Sequence, residues 1–398
     1  MKKILLLGGS TQQIPAIDYA NKSGYHTVLC DYLPDNPGQY YAKKFYCVST
    51  TDKEAILDVA RKEKVEGVVA YASDPAAPTA AYVAEKLGLP TNPYMSVEIL
   101  AYKDKFRGFL KENGFNCPKA QSYSSFESAK TEINQFFLPV MVKPVDSSGS
   151  KGVSKVEHVE DIEYAFIRAL ENSRDKNIII EEYIMQNHPY MIAGDCFVIN
   201  GKVDFWGLLN SHRDKSVNPY VPIGTSYPIY INNKRLDIIK KEIKRLFDIL
   251  NIKFGAFNIE IMIDKDDNLY FIEMGPRNGG NMIPDLLLMA TGEDMIAATV
   301  ESAMGNQYKF KHNTYEDIYL STYVLHSSKN GVFVDVKYKN DIEEKIIKKV
   351  MYKKKSDLVQ CFDGANKAIG ILFLKFNNQE EQLNFMNNPE NWIEVIVG

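Results

Sequence analysis

The sequence predicts a multidomain protein of the α/β and α+β classes, with a Rossmann-like parallel sheet at its N-terminus and a small mixed unit at its C-terminus. Continuous apolar strands alternate with helices over residues 1–97, which is typical of βαβ units on a parallel sheet. Later segments instead form strand pairs around tight turns such as Asn200-Gly201. A chain of 398 residues is also too long for one ordinary core.

The elements follow from their residue patterns in order. The run KILLLGG is a buried strand, and QQIPAIDYANKSG is an amphipathic helix that ends at Gly24. Asp52 is placed to cap the helix DKEAILDVARKEK. From Ser96 the pattern predicts one helix that runs to Gly114 and opens a second unit. Beyond residue 306, short alternating strands and one helix predict the final mixed unit.

Composition and charge exclude several classes of partner. The formal net charge of −4 gives no broad attraction for nucleic acid or anionic membrane. The five cysteines lie far apart without a C-x-x-C pair, which argues against zinc knuckles and disulfide frameworks. The N-terminal apolar run is too short for a signal peptide, and no run approaches the roughly 20 residues that span a bilayer. We therefore expect a cytoplasmic protein.

A dinucleotide site is the first alternative for the N-terminal sheet. The first strand ends in Gly8-Gly9-Ser10, and Asp31 closes the second strand. The turn lacks the spacing G-x-G-x-x-G that brings a pyrophosphate to a helix N-terminus. A glycine turn that caps the strand, or that touches another ligand, therefore fits better than NAD binding.

A polar loop joins two predicted strands at residues 144–156, with the sequence PVDSSGSKGVSKV. Lys143 ends the preceding apolar strand, so its ammonium group should lie at the mouth of the loop. The small residues of the loop are Ser147, Ser148, Gly149, Ser150 and Gly152. Glycines let a backbone approach a ligand and point N–H groups at one anion, and serines add donors. The loop is a candidate phosphate site, and a plain hairpin remains the alternative.

Two glutamates occupy a predicted hairpin turned at residues 266–268. Glu260 in FNIEIMI and Glu273 in LYFIEMGPR lie at matching distances from the turn, so a simple register makes them cross-strand neighbours. Like charges in this position destabilise a hairpin unless something neutralises them. Paired oxygen ligands suit Mg²⁺, which keeps water and substrate phosphates as its other ligands. Two solvated edge carboxylates are the alternative.

Two further segments bear on a ligand. The sequence EEYI, Glu181 to Ile184, closes an apolar strand where a purine would find an apolar slot and backbone hydrogen-bonding groups. A charged strand end is the alternative for this segment. Arg277 in GPRNGGN carries an anion-binding fork, and the two adjacent glycines permit close approach of a ligand.

A lysine, a glycine-rich loop, a purine-sized hinge, paired carboxylates and an arginine occur here in an order that resembles the ATP-grasp superfamily. The resemblance is to carboxylate–amine ligases and to the related halves of carbamoyl phosphate synthetase and biotin carboxylase, over roughly residues 1–305. The tail is similar to the C-terminal unit of the amino-acid ligase branch. The resemblance implies two ATP-grasp subdomains, residues 98–185 with the flap and hinge and residues 186–305 with the metal site. A Rossmann-like unit at 1–97 and a small α/β unit at 306–398 flank them.

The resemblance also implies residue roles. The nucleotide would contact Lys103, Lys143, Ser147, Ser148, Gly149, Gly152, Glu181, Glu182, Tyr183, Ile184 and His188. Glu260 and Glu273 would hold Mg²⁺ or Mn²⁺, and Lys143 and Arg277 would act in catalysis. The substrate would contact Asn278 and also His212 and Arg213, which form a polar cluster with Lys215 in the connection between the hairpin and the long helix. A basic surface loop is the alternative for this cluster. Lys103 is favoured over Lys105 as the first phosphate lysine because of its distance from Gly114.

The chain departs from the family pattern at two places. Gly275 stands where such families often have an asparagine that adds a metal ligand. The acidic residue that usually holds the ribose after the hinge is replaced by the sequence MQNHPY, so His188 or Asn187 would take that role. A surface histidine is the alternative at position 188.

The implied reaction joins a small-molecule carboxylate to an amine. The γ-phosphoryl group of ATP passes to the carboxylate, and the nucleophile then displaces phosphate from the acyl phosphate. A carboxylase-like enzyme that forms carboxyphosphate is one alternative, and a nucleotide-binding module without turnover is another. The sequence leaves the oligomeric state open, and the resemblance allows a homodimer because ligases of this kind are often dimers.

Overall fold

The N-terminal sheet is parallel, as predicted. The computed structural model describes residues 1–214, 216–313 and 317–398. The strands of this sheet are β1 (Lys3–Leu7), β2 (His26–Asp31), β3 (Lys44–Cys47) and β4 (Gly67–Val69), in the order β3-β2-β1-β4. The helices are α1 (Ile14–Lys22), α2 (Lys53–Glu63) and α3 (Ala77–Leu87). Asp52 caps α2 by accepting the Ala55 N–H, as its position predicted.

The glycine turn after β1 serves the fold. The Asp31 carboxylate accepts the N–H groups of Gly9 at 2.7 Å and Leu33 at 2.8 Å. A Cβ on Gly9 would lie 2.0 Å from Oδ1 of Asn36, and Gly38 packs against the Gly9 backbone. The acidic group that would hold a ribose in a Rossmann site is therefore used to tie down the turn. This geometry supports the interpretation of the turn as a strand cap.

The helix predicted from Ser96 to Gly114 is two helices, and the prediction of one helix was wrong. Helix α4 (Tyr94–Ala101) ends before Tyr102, whose φ of −110° and ψ of 121° are extended, and α5 (Lys103–Glu112) begins immediately afterwards. The N–H of Lys103 donates to the carbonyl of Val145 at 2.9 Å instead of continuing the helix. The break therefore sets Lys103 at a helix start, against the loop that follows Pro144.

The second sheet has four antiparallel strands. Its strands are β5 (Ala120–Tyr123), β6 (Val140–Pro144), β7 (Ser154–Val156) and β8 (Ile178–Glu182), in the order β5-β8-β6-β7, with helices α6 (Phe126–Glu132) and α7 (Ile162–Glu171). The predicted strand–loop–strand around residues 144–156 is thus observed as β6 and β7. Their pairing holds both ends of the loop in one plane.

The largest sheet has eight strands and extends into the C-terminal segment. Its strands are β9 (Met191–Ile199), β10 (Lys202–Asp214), β11 (Asn218–Tyr227), β12 (Gly255–Ile263), β13 (Leu269–Gly275), β14 (Tyr319–Leu325), β16 (Ile346–Met351) and β18 (Gly370–Phe376). The order is β13-β12-β9-β10-β11-β14-β18-β16. Helices α8 (Asn233–Ile249), α9 (Ile283–Thr291) and α10 (Met295–Ala303) complete this part. Asn200 and Gly201, with φ of 52° and 77°, form the predicted turn between β9 and β10.

The sequence reasoning treated the region after Asn210 as a polar connection, and this was wrong. Strand β10 continues to Asp214 and pairs with β11 through a bulge between His212 and Asp214. Lys215 lies outside the described residues.

The C-terminal segment shares its core with the preceding part. Phe197 and Phe205 of the large sheet belong to the same buried cluster as Phe373 and Phe385. A three-stranded sheet consists of β15 (Gly331–Tyr338), β17 (Leu358–Val359) and β19 (Ile393–Val397). Helices α11 (Ile342–Lys345) and α12 (Gln379–Asn387) contact β18 of the large sheet. The boundaries at 97, 185 and 305 stay predictions. No described helix is long and apolar enough to cross a membrane.

Candidate active site

A cavity of about 1050 Å³ collects most of the predicted site residues. Its wall includes Lys103, Lys143, Ser147, Ser150, Glu181, Glu182, Tyr183, Ile184, His188, His212, Arg213, Glu260 and Glu273. These residues lie on β6, β8, β10, β12 and β13, at the start of α5, and in the segments that follow β6 and β8. The fold therefore brings together residues that are far apart in sequence.

Glu260 and Glu273 are cross-strand partners on β12 and β13, as the turn position predicted. Nη2 of Arg213 lies 3.8 Å from Oε1 of Glu260, and Nζ of Lys103 lies 3.9 Å from Oε2 of Glu273. Burial raises the pKa of Glu260; the Arg213 guanidinium opposes this shift, and the Glu273 carboxylate adds to it. A divalent cation between the two carboxylates would relieve their repulsion.

The paired carboxylates fit a cation that takes few protein ligands. Within the described ranges, no group of three or more histidine, cysteine, aspartate or glutamate side chains could enclose a metal ion. Mg²⁺ needs only one or two carboxylates when substrate phosphates and water supply the rest of its oxygen ligands. The donor set of Glu260 and Glu273 suits such an ion.

Lys103 contacts the loop between β6 and β7, which we call the flap (residues 145–153). Its ammonium group donates to the carbonyl of Ser147 at 2.7 Å. Lys105 instead pairs with Glu98 at 2.9 Å, away from the cavity. The structure thus places Lys103, and not Lys105, between the flap and Glu273.

The flap is docked on two other parts of the chain. Oγ of Ser150 donates to the carbonyl of Tyr220 at 2.7 Å, and the N–H of Ala365 donates to the carbonyl of Gly149 at 3.2 Å. Ser147 and Ser150 line the cavity, whereas Ser148 does not belong to the described wall. The flap therefore covers the cavity and exposes two of the three predicted serines to it.

We expect Gly152→Ala to destabilise the flap. Gly152 has φ of +72°, and an added Cβ would lie 2.9 Å from Cβ of Asn172 and 3.0 Å from Cγ of Pro144. The strain should cost roughly 1–3 kcal/mol and raise the KM for ATP. Chemical denaturation and steady-state kinetics measure both effects.

Gly108→Ala is the matched control for that substitution. Gly108 lies inside α5 with no atom within 4 Å of an added Cβ, so alanine should stabilise the protein by about 0.5–1 kcal/mol. If the Gly152 variant retains the parent stability, the flap does not need this backbone conformation.

A buried ionic cluster joins three elements below the flap. The Glu181 carboxylate accepts Nε of Arg107 at 2.9 Å and also accepts the Lys143 ammonium. The other nitrogens of Arg107 donate to the carbonyls of Phe271 and Ile272 at 3.2 and 3.0 Å. Burial raises the pKa of Glu181, but the charges of Arg107 and Lys143 outweigh it and lower the pKa to about 2. The Glu181 side chain thus orients Lys143.

Two backbone N–H groups of the predicted hinge already donate to carbonyl groups of the protein. The N–H of Glu182 donates to the carbonyl of Lys119 at 2.9 Å, and that of Tyr183 donates to the carbonyl of Pro139 at 3.0 Å. A purine edge would therefore meet carbonyl groups of this segment or the amide of Ile184. Apolar side chains surround this end of the cavity, namely Met141, Ile184, Met262 and Ile272.

His188 is buried at the cavity wall. It is 7% exposed, and its Nε2 atom has no hydrogen-bond partner among the described residues. Burial lowers its pKa, and the charge of Arg235 lowers it further. A buried ring nitrogen without a partner is costly unless a ligand supplies one, which argues against an ordinary surface histidine.

The predicted substrate residues divide into two groups. His212 is buried and Arg213 is half-buried at the end of β10, where Nε2 of His212 lies 2.8 Å from Oγ of Ser226. Burial and the adjacent Arg213 lower the pKa of His212 to about 3, so the ring is neutral. Asn278 does not line the described cavity, and its Oδ1 accepts Oγ1 of Thr299 at 2.9 Å.

Arg277 is held by a residue that the sequence reasoning missed. Its Nε and Nη2 atoms lie 2.7 and 2.6 Å from the two oxygens of Asp74, and Arg277 is absent from the described cavity wall. Asp74 follows the carboxyl end of β4, a place where open parallel sheets bind ligands, and that position was the available signal.

Asp195 and Arg107 were also missed. The Asp195 carboxylate is fully buried and accepts the N–H of Gly279 at 2.8 and 2.9 Å and Nδ2 of Asn258 at 2.9 Å. Burial raises its pKa to about 6 despite these hydrogen bonds. A lone aspartate inside the apolar strand MIAGDCFVI was the signal for Asp195. Arg107 lies one helical turn after Lys103, and its sequence position gave no sign of burial.

Comparison with known proteins confirms the resemblance. Residues 136–285 match the ATP-grasp domain. The carbamoyl phosphate synthase large chain of Thermotoga petrophila is 26% identical over 293 residues, covering 69% of this chain and 26% of the relative. That of Thermoanaerobacter sp. is 27% identical over 265 residues, covering 64% and 23%. The chain spans about a quarter of the length of these curated relatives.

Solved structures show the same fold over the whole chain. The L-amino acid ligase from Bacillus licheniformis superposes with a TM-score of 0.83 at 20% identity, covering 100% of this chain and 99% of that one. Phosphoribosylglycinamide synthetase from Anaerococcus prevotii gives 0.74 at 19% identity and 100% coverage of both. The chain has the fold of these two enzymes, and residues 136–285 match the ATP-grasp domain.

Proposed function

We propose that this protein is an ATP-dependent ligase that activates a carboxylate as an acyl phosphate and joins it to an amine. The observation that carries the proposal is the cross-strand pair Glu260–Glu273, which faces Lys103 in a nucleotide-sized cavity that Lys143 also lines. The ATP-grasp domain match and the fold of C–N ligases support it.

Different residues of the cavity would bind the base and the phosphates of the nucleotide. The apolar side chains beside Ile184 would hold the base, and His188 would donate to or accept from a ribose hydroxyl. Lys103, Lys143 and the flap serines would neutralise and bind the phosphates. Glu260 and Glu273 would hold Mg²⁺, whose charge would offset that of the phosphates.

The reaction needs no protein nucleophile. An oxygen of the substrate carboxylate attacks the γ-phosphorus, the bond to the β-phosphate oxygen breaks, and ADP leaves. The amine then attacks the acyl carbon and phosphate leaves, with a proton lost from nitrogen. The chain contributes by positioning and by charge, through its buried lysines. The flap excludes water from the acyl phosphate, and its docking on Tyr220 supports this role.

A carboxyphosphate-forming reaction is the second candidate. The carbamoyl phosphate synthase relatives favour it, as does the fold match to a biotin carboxylase domain solved with MgADP and bicarbonate. In that case bicarbonate would replace the organic carboxylate as the phosphoryl acceptor.

An ADP-release screen tests the proposal. Purified protein with MgATP is given amino acids and small carboxylates singly and in pairs, with and without added bicarbonate. Release that requires one carboxylate and one amine supports the ligase, and release that requires bicarbonate supports the second candidate. If the protein binds MgADP but releases no ADP from MgATP under any condition, it is a nucleotide-binding module, and both candidate reactions are contradicted. A homodimer, cytoplasmic location and the substrate contacts of His212 and Arg213 are further parts of the proposal.

We expect His188→Phe to weaken nucleotide binding. Phenylalanine keeps the buried ring and removes Nε2, so one hydrogen bond worth about 1–1.5 kcal/mol is lost and the Kd for ADP rises roughly tenfold. Isothermal titration measures the change. His158→Phe, at an exposed site, is the control. An unchanged Kd for the His188 variant would contradict a ribose contact.

A further inference from the structure

The pair formed by Asp74 and Arg277 links the N-terminal sheet to the metal-binding hairpin. Both side chains are largely buried, with exposed fractions of 16% and 10%. The contact is bidentate, because each carboxylate oxygen accepts from a different nitrogen of the guanidinium group. The charges of Asp74 and Glu273 raise the pKa of Arg277 against the effect of burial. Arg277 is thus a fixed cation close to the paired glutamates.

Gly275 lies directly against this pair. A Cβ at position 275 would lie 2.8 Å from Oδ1 of Asp74, 3.1 Å from Cζ of Arg277 and 3.2 Å from its Nη2 atom. The ends of the Asp74 and Arg277 side chains would have to shift to make room for it. The ion pair therefore fills the volume into which a side chain at position 275 would project.

We propose that Asp74 is a positioning residue for Arg277 and that Gly275 leaves room for their contact. The Asp74 carboxylate comes from a different part of the chain and meets the Arg277 guanidinium group beside the end of β13. This inference rests on the proposed function.

The pair leaves Arg277 able to bind a ligand. Arginine has five N–H donors in a fixed plane. Three are used within the described chain, by the two Asp74 oxygens and by the carbonyl of Asn278 at 2.8 Å. Two remain for oxygens of a substrate carboxylate or of the transferred phosphoryl group. Asp74 fixes the plane of the fork and hence the direction of these two donors.

Asp74→Asn tests the positioning role. The amide keeps the size of the side chain but replaces one acceptor oxygen by a donor. The Arg277 guanidinium group therefore loses a hydrogen bond and is no longer held in one orientation. We expect the kcat for ADP release to fall about 10–100-fold, the usual effect of losing an orienting partner. The Kd for MgADP should stay at the parent value, because Asp74 does not line the described nucleotide cavity.

Asp285→Ala is the matched control. Asp285 has the same exposed fraction of 16% and pairs with Lys348 at 2.9 Å, outside the cavity wall. It should change thermal stability without changing kcat. If Asp74→Asn keeps the parent kcat, or if its kcat loss is matched by Asp285→Ala, the positioning role is contradicted.

A second measurement does not depend on turnover. Gly275→Asn should lower the Tm, because the new side chain would displace Asp74 or Arg277. Gly275→Asn and Asp74→Asn disturb the same ion pair, so their stability changes should be non-additive in the double variant. Additive changes would contradict the contact between position 275 and the pair. If the parent releases no ADP with any substrate but the non-additivity is found, the proposed function fails while the contact of Gly275 with the pair of Asp74 and Arg277 stands.

Discussion

Glu273→Gln is expected to abolish ADP release and to stabilise the metal-free protein at the same time. The glutamine keeps the shape of the side chain but removes one of two charges that face each other across β12 and β13. Turnover should fall by about 10²–10³-fold, as when one charge-stabilising group is removed from an active site. Relief of the cross-strand repulsion should add roughly 0.2–1 kcal/mol to the free energy of unfolding.

Two measurements separate these effects. ADP release with MgATP gives the loss of activity, and urea denaturation in EDTA gives the gain in stability. Adding MgADP should raise the Tm of the parent more than that of the variant, because the variant has lost a metal ligand. Asp266→Asn, at an exposed position in the turn of the same hairpin, should change neither. A Glu273 variant as active as the parent would remove the basis of the metal site.

Glu181→Gln is expected to cause the largest loss of stability. The Glu181 carboxylate neutralises two buried cations, Arg107 and Lys143, and glutamine would leave both without a counter-charge. Breaking a buried ion pair by removing one partner costs about 3–5 kcal/mol. We therefore expect a much lower Tm and, because Lys143 loses its orientation, a higher KM for ATP.

The pH dependence of this loss has a definite sign. The pKa of Glu181 falls from 4.5 to about 2 on folding, so its contribution is present above pH 4.5 and is lost as the pH falls toward 2. The difference in stability between parent and variant should be constant above pH 5 and shrink below it. Glu182→Gln, one residue along β8, is the control, since Glu182 accepts only the N–H of Phe137 at 3.0 Å in the described contacts. Equal effects of the two variants would contradict the buried cluster.

Local patterns predicted the elements that depend on neighbouring residues. The hairpin of β12 and β13 was placed in register because its turn is short and its apolar residues alternate. The Asn200-Gly201 turn and the Asp52 cap could be predicted from the sequence because each depends on a few adjacent residues. These local rules were enough to bring Glu260 and Glu273 together.

Long-range contacts explain what could not be predicted. Helix α4 ends at Ala101, and the N–H of Lys103 donates to the carbonyl of Val145, which is distant in sequence, instead of continuing the helix. Arg107 and Asp74 reach their partners Glu181 and Arg277 only after separate sheets have come together. The family pattern implied a role for Arg277 but gave no sign of its partner Asp74, which lies in a turn after β4.

The continuity of the eight-stranded sheet has a practical consequence for shortening the chain. Strand β11 pairs on its outer side with β14, at residues 319–325, and β14 in turn pairs with β18. A fragment limited to residues 136–285 would strip β11 of that neighbour and open a row of unbonded peptide groups. An exposed edge strand can pair with the edge strand of another chain. The recombinant fragment should therefore precipitate or associate under conditions in which the whole protein does not.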